Sequence, residues 1–182
     1  VAPYYPAVVG ESLLGLNAGE RISVRDLLYA LILRSANDAA FVLAEAVSGS
    51  VGRFVGAMNR PAAALGLPDT HYANPIGLDQ AGNYSSARDL VALARRLLRN
   101  RVFRRIADAR HALLRSLRPP RPIDTTSLRI TKMCGPCSST YASWAGSAST
   151  ATIFTLAGSR SVSSALVKRA VRPIQLPSSV VR

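Results

Sequence analysis

Lysine is nearly absent from this 182-residue chain, and acidic residues are nearly absent from its second half. Lys132 and Lys168 are the only lysines, while arginine supplies every other basic side chain apart from two histidines. The two cysteines and two histidines are too few for a disulfide framework or for a metal cluster with ligand spacing. No run of about 18 apolar residues occurs, so the sequence predicts no membrane-spanning helix.

Charge divides the chain into two unequal halves. Residues 1–100 carry nine arginines and eight carboxylates, whereas residues 101–182 carry 14 basic residues against Asp108 and Asp124. Such asymmetry is typical of a basic tail that binds nucleic acid or an anionic membrane, and equally of a segment never selected as protein. The 48% of hydrophobic residues still predicts one domain with a core. Because the chain starts at Val1 without a signal pattern, we expect its natural N-terminus to lie upstream.

The first half has the pattern of a series of short helices. Ser23-Val24-Arg25-Asp26 has the form of a capping box, in which the serine caps a helix and the aspartate bonds back to its start. Apolar residues then recur at helical spacing, and residues 39–47 predict a second, almost wholly apolar helix. Between these helices, Ser35, Asn37 and Asp38 favour caps and turns over helix interiors.

The pattern continues toward residue 100. A third helix is predicted over residues 50–65, with a kink or break at Pro61, because proline removes an amide donor. Residues 67–84 are dense in Pro, Asp, Asn and Gly and predict an ordered loop. The capping pattern recurs at Ser86-Ala87-Arg88-Asp89, where it opens a helix over residues 90–98.

Ser35-Ala36-Asn37 is the candidate functional motif. Alone, such a triplet predicts caps at a helix junction and no chemistry. Its surroundings change that interpretation, because three blocks in order strongly resemble the serine-type D-alanyl-D-alanine carboxypeptidases, the low-molecular-weight penicillin-binding proteins of peptidase family S11. The blocks are residues 21–40, which contain the triplet, residues 58–79 with LGLPDTHYANPIGLD, and residues 84–106 with YSSARDLVALARRLLRN.

The resemblance implies a fold and a mechanism. The fold would be α+β, of the β-lactamase/transpeptidase-like (penicillin-binding) type, and this chain would hold mainly its helical part. In that family a serine of a Ser-x-x-Lys motif attacks the penultimate D-alanine, and water hydrolyses the resulting acyl-enzyme. By analogy, Ser35 would help to pass a proton to the leaving amine, and Asn37 would hold the backbone of the substrate. No metal or organic cofactor is implied.

The resemblance also implies partners and a location. The substrate would be a peptidoglycan pentapeptide ending in D-Ala-D-Ala, and β-lactams would inhibit by entering the same pocket. No nucleic acid is expected as a partner. The protein would act in the cell envelope, outside the cytoplasm, either in the periplasm or on the outer face of the cytoplasmic membrane.

Two motifs of such a site are missing from this sequence. Arg129 and Ala165 stand three residues before the two lysines, so neither lysine belongs to a Ser-x-x-Lys motif. The residues that follow each lysine do not spell Lys-Thr-Gly either. We therefore predict that this polypeptide alone is inactive. Ala36 stands where many family members carry glycine, a change that should be tolerated.

The resemblance divides the chain into two segments. Residues 1–105 are interpreted as a partial catalytic domain, and residues 106–182 as a basic, Ser- and Arg-rich segment that is out of frame or disordered. A frameshift near residues 105–130 would explain the loss of acidic residues and of hydrophobic periodicity. A genuine family variant with a basic tail is the competing interpretation. A strand at residues 153–157 and a basic helix at 161–171 are only weakly indicated.

Other features point to different functions. Cys134-Gly135-Pro136-Cys137 spells a thioredoxin-like motif, but neither a clear strand before it nor a good helix after it supports redox activity. His71 is interpreted as a loop-ordering residue. The basic stretch of residues 95–121 could bind phosphates, although it lacks the interleaved aromatics of a single-strand binder. The alternative function is therefore a non-catalytic basic module that binds nucleic acid or an anionic envelope polymer.

Overall fold

The computed structural model describes residues 11–124 and the backbone of residues 173–175. The elements are β1 (Arg21–Ser23), α1 (Val24–Arg34), α2 (Asn37–Ser48), α3 (Val51–Ala64), α4 (Ala87–Leu97), α5 (Arg101–Ala107), β2 (His111–Leu114), β3 (Arg121–Asp124) and β4 (Pro173–Gln175). Strands β1 and β4 pair antiparallel, with Ile22 opposite Ile174, while β2 and β3 form a second antiparallel pair, with Ala112 opposite Ile123.

Helices α1, α2 and α3 form the centre of the hydrophobic core. Leu27 and Leu31 of α1 and Leu43 of α2 have no exposed surface, and Phe54 and Met58 of α3 belong to the same cluster. Full burial of each such side chain stabilises the fold by about 1.5–3 kcal/mol. The apolar faces predicted for the first two helices are therefore the faces that build the core.

No single helix in the part of the chain that the structure describes is long and apolar enough to cross a membrane. Helices α2 and α3 pass that test only as a pair, and the two are bent by 85° where they meet. Much of α2 lies inside the core already described.

Both predicted capping serines cap their helices. The Ser23 hydroxyl accepts the N–H of Asp26 at the start of α1, and the Ser86 hydroxyl accepts the N–H of Asp89 at the start of α4. The reciprocal bond predicted for the two aspartates is wrong. The carboxylates turn away from their own helix starts and bond to distant segments.

Each of these aspartates fastens its helix to another part of the chain. Asp26 Oδ2 accepts the Ser116 N–H at 2.9 Å and the Ser116 hydroxyl at 2.5 Å. Asp89 Oδ2 accepts the N–H of Asp69 at 3.1 Å and the hydroxyl of Thr70 at 2.8 Å. Because both carboxylates are buried, these bonds supply the partners that a buried charge requires.

Helix α3 runs through Pro61 without interruption. Of the kink or break predicted here, the break is wrong, since the helix continues to Ala64 with buried side chains on both sides of the proline, Phe54 and Met58 before it and Ala62 after it. Packing of the apolar face thus holds the helix together despite the missing amide donor.

The loop predicted over residues 67–84 is ordered by asparagine side chains. Asn59 of α3 pairs with the backbone of Tyr72 in both directions, donating from Nδ2 to the carbonyl at 2.9 Å and accepting the N–H on Oδ1 at 2.8 Å. Burial, together with the nearby charge of Asp89, raises the pKa of the Tyr72 hydroxyl to about 12. The loop is therefore attached to α3 and to the start of α4.

His71 takes part in the same ordering. Its Nδ1 lies 2.6 Å from the carbonyl of Gly82, its backbone forms a bridge with Tyr84, and the two rings stack at 5.8 Å between centroids. Within the loop, the Asn74 side chain accepts the N–H groups of the turn that follows it. His71 lies in the loop and bonds to its far end, in line with the sequence interpretation.

Residues 106–124 are part of the fold. Strands β2 and β3 form a hairpin whose Leu114 and Ile123 are buried, as is Leu117 in the connection. Local order thus extends past the predicted boundary at residue 105. The interpretation of the second segment as out of frame or disordered stays a prediction. Cys134–Cys137 and the segments at 153–157 and 161–171 lie outside the described residues.

Candidate functional site

The turn between α1 and α2 places Ser35 in an unusual backbone conformation. Ser35 has φ 52° and ψ 38°, and it is the one residue other than glycine with positive φ among those the structure describes. The N–H groups of Ser35 and Ala36 both bond to the carbonyl of Ala30, which closes the end of α1. Glycine usually occupies this left-handed position, because a Cβ there is strained.

Asn37 lies inside the first turn of α2 and does not cap it. The N-cap residue is Ala36, which makes no side-chain capping bond. The Asn37 side chain is 6% exposed, and its Nδ2 donates to Oε2 of Glu11 at 2.8 Å. Its backbone N–H donates to the carbonyl of Ser12 at 2.9 Å. The amide that the resemblance assigns to the substrate is therefore held in place by the segment before β1.

Asp38 accepts bonds from four backbone N–H groups, three of them in that segment. Its Oδ1 accepts the N–H of Leu14 at 2.9 Å, and its Oδ2 accepts the N–H groups of Gly15 at 2.8 Å and Leu16 at 3.1 Å. Its Oδ1 also accepts the N–H of Ala39 in the first turn of α2, at 2.9 Å. A carboxylate near the start of a helix is further favoured by the helix dipole.

Ser12 also holds the end of α1. The Ser12 hydroxyl donates to the carbonyl of Arg34, the last residue of α1. The Arg34 Nε is buried and has no hydrogen-bond partner within the described residues. The Ser12 bond thus joins the segment before β1 to the residue that precedes the Ser-x-Asn turn.

The name clamp is used below for Glu11, Ser12 and Asp38, the three residues that hold the turn. Sequence reasoning took Asp38 for a turn former and did not single out Glu11 or Ser12. Their bonds span more than twenty positions along the chain, so no local pattern indicates them. The one signal in the sequence was Asp38, an acidic residue between two predicted helices.

The arrangement can present a hydroxyl and an amide at a fixed separation on one rigid turn. The structure brings together both predicted site residues, Ser35 and Asn37, with the clamp. Lys132 and Lys168 lie outside the described residues, so no lysine is placed beside Ser35. Across residues 11–124, no three side chains of His, Cys, Asp or Glu gather as a metal site would require.

Comparison with known proteins gives one family and a consistent set of relatives. The family model described as D-alanyl-D-alanine carboxypeptidase, of peptidase family S11, matches residues 5–115. The chain is 46% identical over 93 residues to D-alanyl-D-alanine carboxypeptidase DacD of Escherichia coli strain K12. It is 41% identical over 95 residues to DacF of Bacillus subtilis strain 168. The two alignments cover 51% and 52% of this chain, and 24% of each relative.

Solved structures agree. The D-alanyl-D-alanine carboxypeptidase of Mycobacterium tuberculosis H37Rv aligns with a TM-score of 0.64 and 32% identity, over 74% of this chain and 52% of that one. Penicillin-binding protein 6B of Escherichia coli aligns with a TM-score of 0.60 and 35% identity, over 68% of this chain and 38% of that one. The predicted α+β fold of penicillin-binding type is confirmed, and the chain spans about a quarter of the length of the curated relatives it matches.

Proposed function

Because this chain belongs to the D-alanyl-D-alanine carboxypeptidase family, we propose that it carries the Ser-x-Asn part of a serine-type carboxypeptidase site. The complete site removes the terminal D-alanine from peptidoglycan stem peptides through an acyl-enzyme. The whole protein acts in the cell envelope, on the outer side of the cytoplasmic membrane. Its ligands are pentapeptides ending in D-Ala-D-Ala and the β-lactams that resemble them.

The observation that carries this proposal is the strained backbone of Ser35 in a turn that the clamp holds rigid. A left-handed conformation is maintained by the surroundings when a residue other than glycine must occupy the position. In our assignment the Ser35 hydroxyl passes a proton to the nitrogen of the departing D-alanine. The Asn37 side chain binds the peptide backbone of the substrate. Holding both groups before substrate arrives lowers the barrier that orientation would otherwise impose.

The 182-residue chain as it stands has no Ser-x-x-Lys motif, and we expect no turnover from it. Ser35 and Asn37 act on a leaving group and a backbone, and neither replaces the nucleophile that forms the acyl-enzyme. Release of D-alanine from a D-Ala-D-Ala peptide by this polypeptide should stay at background. Measurable turnover would contradict our assignment of roles.

A chimera tests the assignment directly. Residues 11–115 of this chain replace the corresponding segment of DacD from Escherichia coli, which supplies the nucleophile and the strand motif. We expect the chimera to release D-alanine and to be acylated by penicillin. Asn37→Ala in the chimera should lower kcat/KM about 100-fold, because a group that orients the reacting bond is lost.

The matched control is Asn100→Ala in the same chimera. Asn100 is also an asparagine at a helix–helix junction, but it lies far along the chain from the Ser-x-Asn turn. We expect this variant to keep its activity within about threefold. Equal losses from the two substitutions, in chimeras of equal stability, would show that Asn37 has only a structural role.

A further inference from the structure

Helices α4 and α5 carry a dense group of arginines that the proposed chemistry does not use. Between residues 88 and 107 there are seven arginines and a single carboxylate, Asp89. Asp89 is 3% exposed and its carboxylate already bonds to the loop before α4. All seven arginine side chains are exposed: Arg88, Arg95, Arg96, Arg99, Arg101, Arg104 and Arg105.

Asp108 follows at the end of α5, but none of the seven arginines forms an ion pair with it or with another carboxylate of residues 11–124. The ion pair between Arg121 and Glu20, at 3.9 Å, involves none of the seven. Each group is therefore available to an external anion. Six of the seven lie between residues 95 and 105, on the last turn of α4, the connecting turn and α5. These six exposed side chains fall within eleven consecutive residues of the chain.

Helix dipoles explain only part of this arrangement. Arg95 and Arg96 lie in the last turn of α4, and Arg104 and Arg105 in the last turn of α5, where a cation is favoured. Arg101 is the first residue of α5, where the dipole disfavours a cation, and the first turn of that helix contains no acidic residue. The charge is therefore greater than helix stabilisation requires.

Two exposed valines lie between the arginines in the sequence. Val102 is 52% exposed beside Arg101, and Val91 is 37% exposed on α4. Phe103, the one aromatic residue of these two helices, is buried. An exposed cationic surface with apolar side chains between the charges is suited to the interface of an anionic bilayer. A surface without exposed aromatics offers nothing on which unpaired bases can stack.

We propose that this surface, called the arginine surface, docks the protein on a membrane rich in anionic phospholipid. The guanidinium groups pair with lipid phosphates, and Val91 and Val102 enter the headgroup region. The inference does not depend on the proposed carboxypeptidase activity, because it rests only on exposed charge.

The test uses the full 182-residue chain and vesicles of phosphatidylglycerol and phosphatidylcholine in equal parts. One variant carries Arg101→Gln, Arg104→Gln and Arg105→Gln, which keep helix propensity while removing three charges. The matched control carries Arg21→Gln, Arg53→Gln and Arg60→Gln, three exposed arginines elsewhere. Both variants lose the same net charge, so only the position of the charges differs.

We expect the wild-type chain to sediment with these vesicles, to release as salt rises, and not to bind vesicles of phosphatidylcholine alone. At about 1 kcal/mol per arginine, the α5 variant should bind on the order of 100-fold more weakly, while the control changes less than about threefold. Equal weakening in both variants would overturn the proposal. Tighter binding to duplex DNA than to the vesicles, lost in the α5 variant, would overturn it in favour of a nucleic-acid surface.

Discussion

Two junctions between helices in this molecule contain an asparagine, and the two side chains do different things. At the α4–α5 junction, Asn100 Oδ1 accepts the N–H groups of Val102 at 2.9 Å and Phe103 at 3.1 Å. This is an ordinary N-cap, which satisfies donors that a helix start leaves unpaired. At the α1–α2 junction, Asn37 lies one residue inside its helix and donates to Glu11 instead.

The residues that end the preceding helices differ as well. Leu98, at the end of α4, keeps a right-handed helical backbone, whereas Ser35, at the end of α1, is left-handed. The α1–α2 junction thus gives up a side-chain cap and accepts a strained serine, and the clamp offsets both. Glycine would occupy the left-handed position without strain, so the presence of a strained serine points to a role other than folding.

Of the substitutions that distinguish the two junctions, a change at Asp38 should have the largest effect on stability. Asp38→Ala removes four bonds from backbone N–H groups to a charged acceptor. We expect the free energy of unfolding to fall by about 2 to 4 kcal/mol, since such bonds are stronger than neutral ones and the site is partly buried. Urea denaturation monitored by circular dichroism measures the change.

Asp108→Ala is the matched control at the other region. Asp108 is exposed at the C-terminal end of α5, where a negative charge faces the unfavourable end of the helix dipole. Its replacement should leave stability unchanged or slightly higher. If both alanine variants lost the same stability, the clamp would have no special role at the first junction.

A second experiment changes both asparagines to aspartate. Asp caps a helix as well as Asn does, so Asn100→Asp should leave stability within about 0.5 kcal/mol. Asn37→Asp places a carboxylate against Oε2 of Glu11, which now lies 2.8 Å from the Asn37 amide. We expect a loss of about 1 to 2 kcal/mol from repulsion between like charges at this distance. Thermal and urea unfolding at neutral pH compare the variants.

The double variant identifies the cause of that loss. Glu11→Gln combined with Asn37→Asp restores a donor and an acceptor with the charges exchanged, and most of the lost stability should return. A double-mutant cycle with no coupling energy between the two positions would contradict the contact between Glu11 and Asn37.

The smallest effect concerns the backbone at the two helix ends. Ser35→Gly relieves a left-handed conformation and should stabilise the fold by about 0.5 to 1 kcal/mol. Leu98→Gly relieves no strain, because the backbone of Leu98 is right-handed. This substitution should destabilise the fold, because packing is lost and the unfolded chain gains entropy. Differential scanning calorimetry of the two variants should show melting temperatures that move in opposite directions. A lower melting temperature for Ser35→Gly would show that the serine is not strained.

The sequence predicted the helices and their capping serines well, because those features depend on neighbours. Ser23 and Ser86 each cap the helix that their four-residue pattern predicts. The bonds of Asp26 and Asp89 were predicted wrongly, since their partners lie outside the local pattern. Pro61 was predicted to kink or break α3, and the break is wrong because propensity does not include the packing of an apolar face.

The residues of the candidate site were predicted from the sequence, but the contacts and the backbone conformation that hold them were not. Ser35 and Asn37 follow from the triplet and its surrounding blocks. The left-handed backbone of Ser35 carries no sequence signal, because glycine is the residue that marks such a position. The contact between Glu11 and Asn37 joins segments that come together only when the chain folds. Local order past residue 105 was missed because the buried residues of the β2–β3 hairpin lack a long periodic run.

The most direct test of the central claim is D-alanine release by the DacD chimera carrying Ser35→Gly. Glycine suits the left-handed backbone of this turn, so the substitution removes the hydroxyl without adding backbone strain. Our account predicts a chimera that melts at a higher temperature and releases D-alanine about 100-fold more slowly, as expected when a proton-transfer group is removed. A chimera that keeps its full rate would contradict the account and leave Ser35 as the structural end of α1.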